Sequence, residues 1–175
     1  LFFQFEDARH MVNYRLVERP AFEIIGKKTR IAGQDNVLFG QFWAKCQTEG
    51  LFHVFEALSG MQPGMQTHGV MLGVSCVEQD PTNRAFYYYI AIEKPPSDAP
   101  ADLESRLVPA SLWAVFEARG PIPDALVEAE MFAFSQWLPQ SGYVHAAAPE
   151  MEAYPPTDND QAPYCEFWLP IMRPA

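Results

Sequence analysis

Cysteine is scarce in this 175-residue chain: Cys46, Cys76 and Cys165 lie far apart and form no CxxC pair. An odd count without metal-ligand spacing argues against a disulfide framework or a zinc site, and for a reducing, intracellular setting. No run of about 18 apolar residues exists that could cross a membrane as a helix. The N-terminus also lacks the basic region and apolar stretch of a signal peptide. Basic residues are few as well: twelve Lys and Arg face twenty-two Asp and Glu, for a formal net charge of -10. That balance argues against the chain itself gripping nucleic-acid phosphates, while an acidic surface is compatible with cationic small molecules. The usual catalytic spacings are missing. His10, His53, His68 and His145 form no HExxH, no serine sits in a GxSxG elbow, and no glycine loop is shaped as a phosphate cradle. His53 and His145 fall at loosely similar places in the two halves, after each helix, and a structural role is the simpler reading for both.

What is present is apolar and aromatic. Hydrophobic residues make up 49% of the chain, enough to bury a sizeable core in one domain or two small ones. Thirteen Phe, seven Tyr and four Trp exceed what a small core needs, so some rings are expected to line a cavity. The chain begins at Leu1 rather than Met. Residues 1–10 are read as a linker or cloning remnant ahead of a domain over 11–175, whose halves span about 11–95 and 101–175.

Alternating apolar residues predict strands at 21–26, 69–74, 85–92, 112–117, 151–154 and 164–171. Val37, Leu38, Phe42 and Cys46, with Phe39 and Trp43 alongside, recur at helical spacing, with Asp35 or Asn36 as N-cap and Gly50 as the stop. A second helix follows Gly120-Pro121-Ile122-Pro123-Asp124 and reaches Trp137, with Pro139 and Gly142 ending it. Residues 59–64 read as a loop, 78–83 as the turn of an antiparallel hairpin, and Lys94 to Pro100 as the joint between halves. Each half then reads strand, helix, strand, strand. This predicts an α+β fold, an antiparallel sheet with helices packed on one face, and a ligand groove between two related halves.

Glu166 is the most informative residue for chemistry. It lies inside an apolar strand with Tyr164 and Trp168 at two-residue spacing, so all three side chains share a face. No basic residue lies nearby in sequence to pair with it, and a cation arriving between the rings would neutralise the carboxylate and stack on their faces. The plain alternative is an edge-strand Glu facing solvent. In the run Tyr87-Tyr88-Tyr89, alternation places at least one phenol on the groove side, although cross-strand packing would also account for it. Trp43, Trp113, Trp137 and Tyr143 are further ring candidates of a kind more often found in cores. Met61, Met65 and Met71 read as adaptable packing rather than a site.

Taken together, Tyr14 to Phe22, Ile24-Ile25-Gly26, Trp43, His68-Gly69-Val70, Tyr88 to Glu93, Gly120-Pro121, Trp137-Leu138-Pro139, Ser141-Gly142-Tyr143, Glu152-Ala153-Tyr154 and Cys165 to Ile171 resemble the gyrase-inhibitor-like small-molecule-binding family. That family includes effector-binding domains of AraC-type bacterial regulators and multidrug sensors. The resemblance runs from about Met11 onward. It implies two pseudo-two-fold-related βαββ modules forming one concave antiparallel sheet with a central ligand groove. It also implies a hydrophobic cation as ligand, held by an acidic residue of the last strand, which maps onto Glu166, between aromatic walls. Tyr88 and Trp168 fall on matching positions, and Trp43, Trp113 and Tyr143 are added as further ligand-binding candidates. Ala91, where Gly is frequent, and Phe167, where Ile or Val is usual, depart from the family pattern. No cofactor or metal is implied, and the expected setting is cytoplasmic, with no membrane partner and DNA reached only through a separate upstream domain. Three roles follow: the sensory domain of a transcription regulator, a free-standing drug-binding or gyrase-inhibitor-like module, or a small-molecule hydrolase using Glu166 as base with Tyr88 or Tyr143 as polariser. No residue pattern demands turnover, so binding is favoured over catalysis.

Overall fold

The computed structural model describes residues 12–32, 37–60, 69–79, 85–96, 98–156 and 162–175. The candidate caps Asp35 and Asn36, the loop from Met61 to Gly64, Met65, His10 and His68 lie outside them. In chain order the elements are β1 (Tyr14–Arg19), β2 (Phe22–Ile31), α1 (Val37–Thr48), α2 (Leu51–Gly60), β3 (Met71–Ser75), a 3-10 turn (Val77–Gln79), β4 (Phe86–Glu93), β5 (Glu104–Val108) and β6 (Ser111–Arg119). Then come α3 (Asp124–Phe132), β7 (Val144–His145), β8 (Glu150–Tyr154) and β9 (Tyr164–Met172). The helix of α3 runs on through a π turn, Ala133–Trp137, into a last turn, Leu138–Ser141.

The strands form one antiparallel sheet in the order β1-β6-β9-β8-β3-β4-β2-β5, with β7 added alongside β9. The order is symmetric about the β8–β3 junction. On one side β8, β9 and β6 follow outward, and on the other β3, β4 and β2, each triplet being the strands of one βαββ module. The strand that leads into each module crosses to the other: β1 pairs with β6, and β5 pairs with β2.

Two short links force this sheet to roll. Laid flat, β1 and β2 would stand six strand spacings apart, about 29 Å at roughly 4.8 Å each. Only Pro20 and Ala21 join them, and three Cα–Cα steps reach about 11 Å. Pro109 and Ala110 impose the same constraint between β5 and β6. The sheet therefore curls until its ends meet, and Arg19 of β1 lies over the Phe22 ring of β2 and pairs with Glu93 of β4. Inside the roll, Phe22, Ile24, Leu72, Val74, Tyr89, Ala91, Val108, Trp113, Val115, Met151 and Ala153 pack together, and no helix residue belongs to this cluster. The face opposite the helices is thus covered by the sheet itself. On the outer face α3 packs Leu126, Ala129 and Ala133 onto Ala114, Phe116, Phe167 and Leu169. Phe42 and Cys46 of α1, with Leu51 and Phe55 of α2, pack onto Ile25, Tyr88, Ile90 and Ile92. These two helical layers flank the β8–β3 junction, which is where the groove expected between the two modules falls.

Two local features differ from the sequence reading. Gly50, at φ +85°, does end α1, but α2 starts at the next residue, its Leu51, Phe55 and Leu58 spaced for a helix. Pro139 does not end α3. The chain stays helical to Ser141, with Gly142 at φ +79° as the stop. The π turn immediately upstream, where the Leu138 N–H reaches back to the Ala133 carbonyl, is where the helix accommodates a proline that offers no N–H. Gly40 on the exposed side of α1 has nothing within 4 Å of a would-be Cβ. Gly40→Ala is therefore expected to stabilise the fold by about 0.5–1 kcal/mol, seen as a higher urea midpoint at unchanged slope.

Candidate functional site

Strand register decides which side chains share the groove. Glu152 of β8 stands opposite Gly73 of β3 and Phe167 of β9, and Gly73 stands opposite Ile90 of β4. Residues paired in register point to one face. Since Phe167 and Ile90 both pack under helices, Glu152 lies on the helix side, at the centre of the pseudo-symmetry. The same register gives Glu152 a glycine as its counterpart in the first module. A Cβ on Gly73 would stand 2.3 Å from Tyr88 Oη and 2.8 Å from Glu152 Oε2, so the missing side chain makes the space that phenol and carboxylate occupy.

Around this carboxylate the hydrogen bonds converge. Tyr88 Oη donates to Glu152 at 3.0 and 3.2 Å, and Tyr154 Oη donates at 3.3 Å. Trp43 of α1 donates its indole N–H to Tyr88 Oη at 2.9 Å. Trp43 also meets Tyr154 edge-on at 5.3 Å and Phe52 of α2 at 5.9 Å, while Phe39 meets Tyr88 edge-on at 4.8 Å. Among the described residues Glu152 forms no ion pair with Lys, Arg or His. Burial pushes its carboxyl up to about 7, against the opposing pull of the two phenols, and the nearby Glu150 adds to the rise. Burial likewise holds the Tyr88 phenol well above its ordinary value and pushes the Cys165 thiol up to about 12.

The residues singled out in the sequence divide between two faces. Trp43 and Tyr88 come together in the groove. Glu166 and Trp168 do not join them, because Glu166 pairs with Ala153 and Trp168 with Met151, both inside the roll. Nor is Glu166 without a basic partner. Arg15, brought across from β1, lies 2.9 Å from it, and Tyr164 Oη and Trp168 Nε1 donate to its oxygens at 2.7 and 3.2 Å. The expectation of one groove uniting Glu166, Trp168 and Tyr88 is thereby corrected: the sheet separates them. Trp113 is fully buried inside the roll against Trp168. Tyr143 stacks on Trp137 at 6.2 Å beyond the end of α3, with Arg173 over its ring. It lines a surface depression of about 610 Å³ with Glu18, Ser111 and Arg173. A second depression, of about 430 Å³, is bordered by Phe22, Glu93 and Leu107. Glu152 lines neither; Trp43, Tyr88 and Tyr154 pack against one another around it. Sequence reasoning missed Glu152 as a candidate, although Glu152-Ala153-Tyr154 carries the same carboxylate-and-ring alternation as Glu166.

A family model for the GyrI-like small-molecule-binding domain matches residues 12–172. This chain belongs to that family. Among solved structures, the GyrI-like chain is similar to SAV2435 bound to tetraphenylphosphonium, at 23% identity and TM-score 0.74 over 91% of this chain and 94% of that one. It is similar to EcmrR in its complex with DNA, at 14% identity and TM-score 0.62, over 98% of this chain and 62% of the longer one. A hydrolase from Listeria innocua shares the fold at 11% identity and TM-score 0.52, over 98% of each chain. At these identities the likeness is one of fold. No curated protein matches the sequence at a significant level. The chain is a GyrI-like small-molecule-binding domain, and no described helix is long and apolar enough to cross a membrane.

Proposed function

We propose that this GyrI-like domain binds a hydrophobic aromatic cation over Glu152, between Trp43, Tyr88 and Tyr154, and serves as the effector-sensing domain of a bacterial transcription regulator. The observation that carries the proposal is a half-buried carboxylate ringed by aromatic side chains and paired with no cation of the protein. A bound cation supplies the missing counter-charge while its apolar rings replace the contacts Trp43 makes with Tyr88 and Tyr154. Cation–π attraction adds about 0.5–2 kcal/mol. The likeness to a tetraphenylphosphonium-bound protein and to a DNA-bound one supports the ligand class and the regulatory role, respectively.

The test is titration with tetraphenylphosphonium, followed by tryptophan fluorescence. Glu152→Gln is expected to weaken binding at least about tenfold, the equivalent of roughly 1.4 kcal/mol. Glu166→Gln is expected to change it little, since Arg15 already neutralises that carboxylate. Unchanged affinity in Glu152→Gln overturns the proposal. The pH dependence follows from the raised carboxyl: the cation prefers the ionised form, so affinity falls as pH drops below about 7 and levels off above it. The regulatory role is tested by the coding sequence upstream, where a DNA-binding segment in frame is expected.

A further inference from the structure

A second carboxylate, Glu130, lies near Glu152 on the helix that packs over β6 and β9. On α3, Leu126, Ala129 and Ala133 are buried against the sheet. Glu130 follows Leu126 by four residues and precedes Phe134 by four, so all three lie along one flank of the helix. Phe134 packs its ring on Phe167 at 5.8 Å, and Phe167 is the register partner of Glu152. The Leu126–Glu130–Phe134 line therefore lies over β9, the strand next to β8 and its Glu152. Among the described residues Glu130 makes no hydrogen bond or ion pair of its own.

Resting on the proposed cation site over Glu152, we infer that Glu130 is a second charge-selecting residue of that site, so that the groove prefers aromatic dications to monocations. Two unpaired carboxylates facing one apolar cleft cannot both ionise cheaply when a single positive charge enters, and one stays protonated. A dication lets both ionise, each releasing its proton to solvent, and neutralises both. The groups around Glu130 fit this account. From β8 come Glu152, Glu150 and Tyr154, and from β9 Cys165, while Tyr88 and His145 are held one step further off, Tyr88 on Glu152 and His145 on Glu150 at 2.8 Å. Asp124 and Glu128 on α3 itself are exposed. Burial, then Glu152 and Glu150, push the Glu130 carboxyl up to about 8, and no basic residue opposes the rise.

Ethidium and propidium make a matched pair for the test. They share a cationic phenanthridinium ring, and propidium adds a quaternary ammonium on a propyl arm. With the full chain at neutral pH, propidium is expected to bind at least about tenfold more tightly than ethidium. Glu130→Gln is expected to bring the two within about threefold of each other while changing ethidium little, and Glu130→Asp to retain part of the preference. Calorimetry in buffers of different ionisation heat is expected to show more protons released by propidium than by ethidium, the difference vanishing in Glu130→Gln. Equal affinities in the wild type, an unchanged ratio in Glu130→Gln, or an equal loss for both dyes overturns the inference. Glu152→Gln separates the two levels. If it weakens both dyes while Glu130→Gln leaves the ratio intact, only the dication preference fails, and if it weakens neither, the cation site itself fails.

Discussion

Trp113→Ala is expected to lower the stability of the fold by about 3–5 kcal/mol, the usual range for deleting a large buried ring. Trp113 has no exposed surface and sits where the roll closes, with Val17 of β1 and Pro170 of β9 as its register partners and the Trp168 ring at 5.9 Å. Its own strand β6 and the neighbouring β1 are held there by links too short to let the sheet flatten, so the space left behind cannot collapse freely. Urea unfolding should show the full loss as a shifted midpoint. Trp113→Phe offers a finer reading. The indole N–H of Trp113 has no acceptor, so a ring without it removes an unmet donor, and the cost is expected to stay below about 1.5 kcal/mol. Cation affinity in Trp113→Phe is expected to match the wild type, because the residue belongs to the inner core. A selective loss of affinity in a stably folded Trp113→Phe would instead place it at the ligand.

Gly73→Ala is expected to do the reverse: to damage the site more than the fold. The new methyl would stand 2.3 Å from Tyr88 Oη and 2.8 Å from Glu152 Oε2, well inside van der Waals contact. One of the two groups must leave, which breaks the Tyr88–Glu152 hydrogen bonds and, through Tyr88, the bond from Trp43. Overpacking of this kind costs about 1–3 kcal/mol of stability. The larger effect is on binding, with affinity for tetraphenylphosphonium expected to fall at least about tenfold even at temperatures where the variant is fully folded. Measuring the variant's urea midpoint beside its fluorescence titration keeps the two effects apart. A folded Gly73→Ala that binds as the wild type would show that the phenol and carboxylate need not stay together for ligand to enter.

Much of the fold was legible because it rests on local patterns. The period-two runs at Phe86 to Ile92 and Tyr164 to Ile171 became β4 and β9, and the helical spacing around Phe42 and Cys46 became α1. What escaped were elements with weak local signals. β5, Glu104–Val108, carries two exposed charged or polar residues at its start and only Val108 fully buried, and it exists as a strand because β2 supplies its hydrogen bonds. The helical run past Pro139 depended on a π turn that no sequence rule marks. The candidate site was legible in kind but not in place. Carboxylates alternating with rings were visible at Glu166 and present at Glu152.

The sequence by itself determined that this is an antiparallel α+β chain of two like halves, rich in rings and acidic, in the pattern of a GyrI-like domain. Tertiary structure alone decided which carboxylate stands in the groove. The period of a strand sets which side chains share a face, but not which face meets the helices and which is rolled inward. Nor can local sequence reveal a partner that arrives from a distant strand. Arg15 reaches Glu166 only because β1 crosses to the second module, and Gly73 opens room beside Glu152 only because β3 and β8 meet at the pseudo-symmetry axis.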